Sequence, residues 1–303
     1  MIDFLKYRII FFIFSGILIV ASIGSLFIFG LQPGIEFTGG TLIDISYNNQ
    51  RPTIDNLKKT LSEFDFKEIE IKLIGGKNIN LRISEKNITN DLQQKISDKL
   101  KTLGEVEDGS LSFETISPVI GKELRAKTQI ITILSILVIV LYIAIAFGRV
   151  ARPISSWQYG VASLLTLSQD VLITLGVFSI LGKFYGVQVT IPVVTALLVI
   201  VGYAINDKIV VFDRIRENLL RKSSSNYDEI VNVSLNQILS RCLSTSLTTL
   251  FPLFAIFFLG GQSLKYFSLA LIIGIIIGTY SSLFIASQIL VSWLKRKEKR
   301  AVK

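Results

Sequence analysis

Histidine is absent from the 303 residues, which removes imidazole as a catalytic base, metal ligand or pH switch. Cysteine occurs once, at Cys242, so neither an intrachain disulfide nor a thiolate zinc cluster can form. Charged residues make up only 18%, against roughly 25% in an ordinary soluble domain. No P-loop pattern, no HExxH and no G-x-S-x-G occurs, so the enzyme classes those motifs carry have no support. What the chain has in quantity is apolar. Half of it is hydrophobic and its mean hydropathy is +0.56, gathered into stretches near or above the ~18 apolar residues of a membrane-crossing helix. A soluble enzyme, a disordered tail and a disulfide-stapled secreted domain are excluded; the composition is that of an integral membrane protein.

Six spans are predicted: Ile9–Phe29, Thr128–Phe147, Trp157–Leu181, Val189–Asp213, Ile238–Leu259 and Leu264–Leu294. The net charge of +9 is confined to this apolar part, because residues 31–127 hold 14 Lys/Arg against 15 Asp/Glu. No basic patch on a folded domain supports nucleic-acid binding. The excess instead flanks the spans on one side: Lys6, Arg8, Arg149, Arg152, Arg214, Arg216, Arg221, Lys222 and the tail from Lys295, against Lys183 and Lys265 opposite. That asymmetry predicts cytoplasmic termini and an external block 31–127. The chain thus divides into residues 1–30 (N-terminus and first helix), 31–127 (external), 128–294 (helices two to six) and 295–303 (basic tail). The first span exceeds a 7–15-residue signal core and no A-x-A-like site follows, which predicts a retained anchor.

The external block alternates. Thr41–Tyr47, Glu68–Leu73, Ile79–Ile83 and Leu111–Ile116 predict strands, the middle two forming a hairpin around Gly75-Gly76. Thr53–Phe64, with Thr53 as N-cap and Ile54, Leu57 and Leu61 on one face, predicts a helix. Thr89–Leu103, with Leu92, Ile96, Leu100 and Leu103 on one face and Gly104 as its stop, predicts another. The order β-α-β-β-α-β predicts an α+β ferredoxin-like domain, without ligand spacing or a nucleophile–base set. No cofactor or metal is expected.

A charge near the bilayer centre costs on the order of 2.5–3.5 kcal/mol, so those inside the spans need a reason. Asp170 lies in mid-span of the third helix; Asp207 and Lys208 lie in the fourth; Arg241 lies near the predicted start of the fifth; Asp213 and Arg214 mark the fourth helix's exit. At 1.5 Å per residue Asp207 is about 9 Å from that exit, a depth it can share with Arg241. A carboxylate opposite an arginine suits a proton relay, since the arginine stays charged while the acid alternates between paired anion and neutral form. Ser244, Thr245, Thr248 and Thr249 follow on the same helix and extend that interface. The same pair also fits a static lock on helix register. Lys208 either snorkels to the cytoplasmic surface or neutralises Asp207, Asp170 is a relay member or a structural acceptor, and Gly274-x-x-x-Gly278 fits close helix packing.

These residues carry a resemblance. Gly34-Ile-Glu-Phe-Thr-Gly-Gly-Thr-Leu42, Gln169-Asp170-Val-Leu-Ile-Thr-Leu-Gly-Val-Phe178, Gly202-Tyr-Ala-Ile-Asn206-Asp207, Val210-Val-Phe-Asp213-Arg-Ile-Arg-Glu-Asn218, Asn236-Gln-Ile-Leu-Ser-Arg241 and Gly278-Thr-Tyr-Ser-Ser282 resemble the SecF family of protein-export membrane proteins. The resemblance implies a six-transmembrane-helix bundle of the resistance-nodulation-division type and an inner-membrane location with a periplasmic block 31–127. It implies the partners SecD, the SecYEG channel, YajC and the translocating preprotein, and action after the ATPase SecA, driven by the proton motive force. Carried over by position, Asp207 and Arg241 are the residues needed for proton flow; the other charges and amides within the spans add Asp170 as a third relay candidate and Asn206, Lys208 and Asp213 as candidate modulators. The chain departs from the family pattern in having Gln169 where histidine is common, Glu36 for Asp, and Lys208 for a small or hydroxyl residue. A small-molecule or lipid exporter of the same superfamily and a non-conducting structural subunit are the alternative readings.

Overall fold

The computed structural model describes residues 2–64, 66, 69–74, 76–83, 89–148, 156–221 and 227–293. Glu68, Gly75, Arg149, Arg152, Lys222 and the tail from Leu294 therefore lie outside the described residues. The chain divides into two compact units, one of residues 1–28, 132–177 and 192–303, the other of residues 29–131 and 178–191.

The helical unit draws on α1 (Arg8–Phe29), α5 (Pro118–Gly148), α6 (Ser156–Tyr185), α7 (Ile191–Arg221), α8 (Tyr227–Leu259) and α9 (Gln262–Tyr280), the last continuing through a π-helical segment, Ser281–Ala286, to Trp293. Among the described residues, five helices are long and apolar enough to cross a membrane: α1, Trp157–Tyr185, α7, α8 and Leu264–Trp293. Two predicted boundaries move. The fourth helix runs past Asp213 to Arg221, and the fifth begins at Tyr227, not near Gln237. Both extensions are polar helix ends, which a hydropathy pattern does not register. They are tied together by Asn218 Nδ2, which donates to Ser234 Oγ and Gln237 Oε1 (2.8 Å each), and by Arg214 Nε, which donates to Gln237 Oε1 (2.7 Å).

Along α1 the packing inverts the soluble pattern, while α7 and α8 bury large apolar residues such as Ile200, Phe212, Val231 and Leu235. In α1 the buried residues are Ser15, Ser22 and Ser25, whereas Ile9, Ile13, Ile17 and Val20 are exposed. Small residues let helix backbones approach where lipid supplies no hydrophobic drive between helices. Ser25 Oγ donates to the Gly176 carbonyl of α6 at 3.1 Å, and a Cβ on Gly176 would lie 2.6 Å from Ser22 Cα. Gly274-x-x-x-Gly278 packs as the sequence predicts: a Cβ on Gly274 would run into Ile200, and one on Gly278 would sit 3.1 Å from Ala204 Cβ.

The other unit is a four-stranded antiparallel sheet of β1 (Gly40–Ser46), β2 (Ile69–Ile74), β3 (Asn78–Ile83) and β4 (Ser112–Ile116), in the order β2-β3-β1-β4. The helices α3 (Ile54–Leu61) and α4 (Asn90–Thr102) cover it, and a short α2 (Ile35–Thr38) precedes β1. Alternation supplies the core: Ile43, Ile45, Ile79, Leu81 and Ile83 face Leu57, Leu61, Ile96 and Leu100. Both predicted helix ends hold, with Thr53 as the N-cap of α3 and Gly104 just past the end of α4, and each works without the usual local geometry. The Thr53 side chain makes no capping hydrogen bond, although Thr53 stands at the N-cap. Gly104 does not take the left-handed conformation; a side chain there would press on the Tyr47 ring, whose hydroxyl donates to the Leu100 carbonyl at 3.0 Å. The segment Phe178–Ile191, assigned from sequence to the apolar part, joins this unit through Val189, which exchanges backbone hydrogen bonds with Gln32 (2.7 Å) and Gly34 (2.9 Å).

Candidate functional site

The face of α7 that meets α9 repeats every fourth residue as Ile200, Ala204 and Lys208. The first two fit the glycines of α9, and the third arrives one turn later with an ammonium. Lys208 is fully buried. Its Nζ lies 2.9 Å from Asp170 Oδ2 on α6 and donates to Ser281 Oγ (3.2 Å) and Ser282 Oγ (3.3 Å). An ammonium has three N–H donors, and each has found an acceptor. The two serines can accept because each donates its own proton to the Gly278 carbonyl, at 3.1 and 2.6 Å. Both belong to the π-helical segment, whose wider turn presents two consecutive hydroxyls to one point; such turns recur at functional sites.

This corrects the expectation for Lys208. It does not snorkel to the surface, and its ion pair is with Asp170 and not Asp207. Adjacent helical residues point about 100° apart, so the position that aims Lys208 between α6 and α9 aims Asp207 elsewhere. Asp207 is also buried, but receives one long hydrogen bond, from Thr279 Oγ1 at 3.5 Å. Thr279 Oγ1 in turn shares a 2.7 Å hydrogen bond with Ser246 Oγ of α8. Among the described residues no ion pair joins Asp207 to Arg241.

Arg241 lies on the exposed side of α8 with Ser244, Thr245 and Thr248. The threonine hydroxyls turn back on their own helix: Thr245 donates to the Arg241 carbonyl (3.0 Å) and Thr248 to that of Ser244 (2.9 Å). The guanidinium has no such recourse. Asn206 and Asp213 occupy the exposed side of α7, where Asp213 Oδ1 is 3.8 Å from Arg216. Of the residues singled out in the sequence, the fold therefore brings Asp170 and Lys208 into contact and sets Asp207 on a separate hydroxyl pair. The groups that sequence reasoning missed are Ser246, Thr279, Ser281 and Ser282. The run Gly278–Ser282 was visible as a hydroxyl cluster, but nothing in it announced a π turn.

In the sheet unit the stretch after α1 is shaped by consecutive glycines, Gly39 (φ 74°) and Gly40 (φ 115°), both in backbone regions that L side chains avoid. Glu36 folds back over Gly34. Burial pushes its carboxyl above the usual range, with backbone N–H groups and Arg82 opposing. Burial does the same to Asp44, against the hydrogen bond it accepts from Asn80 Nδ2 at 2.7 Å. Among the described residues no cluster of potential metal ligands occurs.

Residues 95–296 match the family model described as protein export membrane protein SecD/SecF, C-terminal, and residues 24–50 match the SecD/SecF GG motif. The chain is 38% identical to protein translocase subunit SecF of Thermobaculum terrenum, over 97% of this chain and 94% of that one. It is 34% identical to the subunit of the same name from Rhodothermus marinus, over 98% and 94%. Among solved structures it is similar to SecDF, a translocon-associated membrane protein from Thermus thermophilus, with a TM-score of 0.80 at 35% identity. That likeness covers 97% of this chain and 39% of the SecDF chain, so the chain spans about two-fifths of that longer protein. Similarity of this extent, running from the glycine pair after α1 to the serines that hold Lys208, places the chain in the SecF family of protein translocase subunits.

Proposed function

We propose that this translocase subunit couples proton entry to protein export, working with SecD beside the SecYEG channel and YajC, on preprotein delivered by SecA. Its setting is the inner membrane, with six crossings counting α5, both termini cytoplasmic, and block 31–127 periplasmic as a ferredoxin-like βαββαβ domain. The observation that supports the reading is the unequal treatment of two buried acids. Asp170 is held by a fully satisfied lysine, whereas Asp207 has a single 3.5 Å hydrogen bond.

A buried carboxylate without a cationic partner is the group that gains most from taking a proton, so Asp207 is the proton carrier. Arg241 supplies the charge it meets when deprotonated, through a rearrangement of α7 against α8 or across to a SecD helix. The Asp170–Lys208 pair and the π segment form the stiff side against which that movement works, with Asn206 and Asp213 shaping the exposed face of α7. One charge moving through the membrane potential is worth about 2.3 kcal/mol per 100 mV, enough to bias two helix packings a few kcal/mol apart.

The test is Asp207→Asn in inverted vesicles. Proton-dependent export should be lost, while the chain still inserts and copurifies with SecD. Normal export by that variant would leave a structural subunit as the reading.

A further inference from the structure

The sheet ends at β2, and among the described residues nothing pairs with its outer side. Beside this edge, where α3 ends, lies a cleft of about 350 Å³ lined by Lys58, Leu61, Ser62, Phe66, Ile69 and Ile71. Leu61, Phe66, Ile69 and Ile71 give it apolar side chains, and the exposed Lys58 and Ser62 give its mouth polar ones. Ile69 and Ile71 are alternate residues of β2 and lie on the helix-covered face, packed against the core but not fully buried.

We propose that this edge is a docking site for exported polypeptide in extended conformation, taken up as a fifth strand alongside β2. An open strand edge offers a row of N–H and C=O groups whose natural complement is another extended backbone. Main-chain pairing is indifferent to sequence, as a subunit serving many exported chains requires. Alternate side chains of the added strand fall towards α3 and into the cleft, so apolar residues at every second position are favoured. Lys58 at the mouth disfavours a cation there.

The size of the site selects its occupant. A strand of six residues is about 20 Å long, and the cleft is near the lower end of the roughly 300–1,000 Å³ of ligand pockets. A lasting subunit interface buries on the order of 1,200–2,000 Å², drawn from roughly 20–30 residues a side, whereas β2 offers six. A brief grip on a moving chain needs far less. The inference rests on the subunit acting on exported polypeptide.

The experiment is disulfide mapping in vesicles that carry the whole translocase. Ser62→Cys supplies the probe thiol; the native Cys242 is buried. A preprotein stalled by a folded C-terminal domain carries one cysteine, moved a residue at a time. The expected result is cross-linking at every second position over about six residues. Equal yields at all positions, no cross-link, or bridging to SecD instead would each overturn the proposal. In parallel, Ser62→Trp, which fills the cleft, should slow export several-fold with SecD still copurifying; an unchanged rate would also overturn it. Asp207→Asn should leave the alternating pattern intact, so failure of the docking site and failure of proton coupling are read separately.

Discussion

Lys208 illustrates how far a charge pattern reaches before the fold is known. Its presence in a span, and its oddity beside Asp207, were plain in the sequence. Its partner was not, because the choice between Asp207 and Asp170 depends on which face of α7 meets α9, and that is set by Gly274 and Gly278 one helix away. Removing one member of a buried pair leaves the other charge uncompensated, which costs about 3–5 kcal/mol. Lys208→Met should therefore lower the unfolding temperature of the detergent-solubilised chain sharply. The double variant Lys208→Met with Asp170→Asn should recover most of the loss, since replacing both members of a buried pair is often near neutral. Thermal unfolding of the two variants side by side is the measurement. Asp207 and Arg241 were legible as candidates by depth arithmetic, but depth says nothing of the direction around each helix: Asp207 is buried beside Thr279, whereas Arg241 lies on the exposed side of α8.

Among the elements, strands and helices of the sheet unit were the easiest to read. Alternation fixes which residues turn inward, so Ile43, Ile45 and Leu81 from the predicted strands join Ile96 and Leu100 of the predicted helix face in the core. The first membrane helix obeys a different rule, in which small residues mark the inside. Serines at 15, 22 and 25 carry almost the whole buried face of α1, a feature that hydropathy alone renders as interruptions. Gly176→Ala tests this contact, because its methyl would run into the Ser22 backbone. Overpacking of this kind costs typically 1–3 kcal/mol. The expected outcome is faster hydrogen exchange along α1 with α8 unchanged. The π segment had no sequence signature, since its extra backbone width is stabilised by what the serines hold and not by local propensity.

For the molecule as a whole, the polar stripe of α8 is the feature with the longest reach. Arg241 stands exposed on a helix whose neighbouring hydroxyls are already spent on its own carbonyls. Left against acyl chains, the guanidinium carries a penalty, on the order of 2.5–3.5 kcal/mol at the bilayer centre and less towards the surface. A copy synthesised without its companion is thus an orphan, tolerated in the bilayer only at a loss, and the cell's quality-control proteases have a reason to remove it. Overproduced alone, the chain should show a short half-life in pulse-chase labelling, and co-synthesis of SecD should lengthen it. Arg241→Leu should lengthen the orphan's half-life without SecD. Gene dosage of the two subunits would then be matched by turnover, with one arginine acting as the tally.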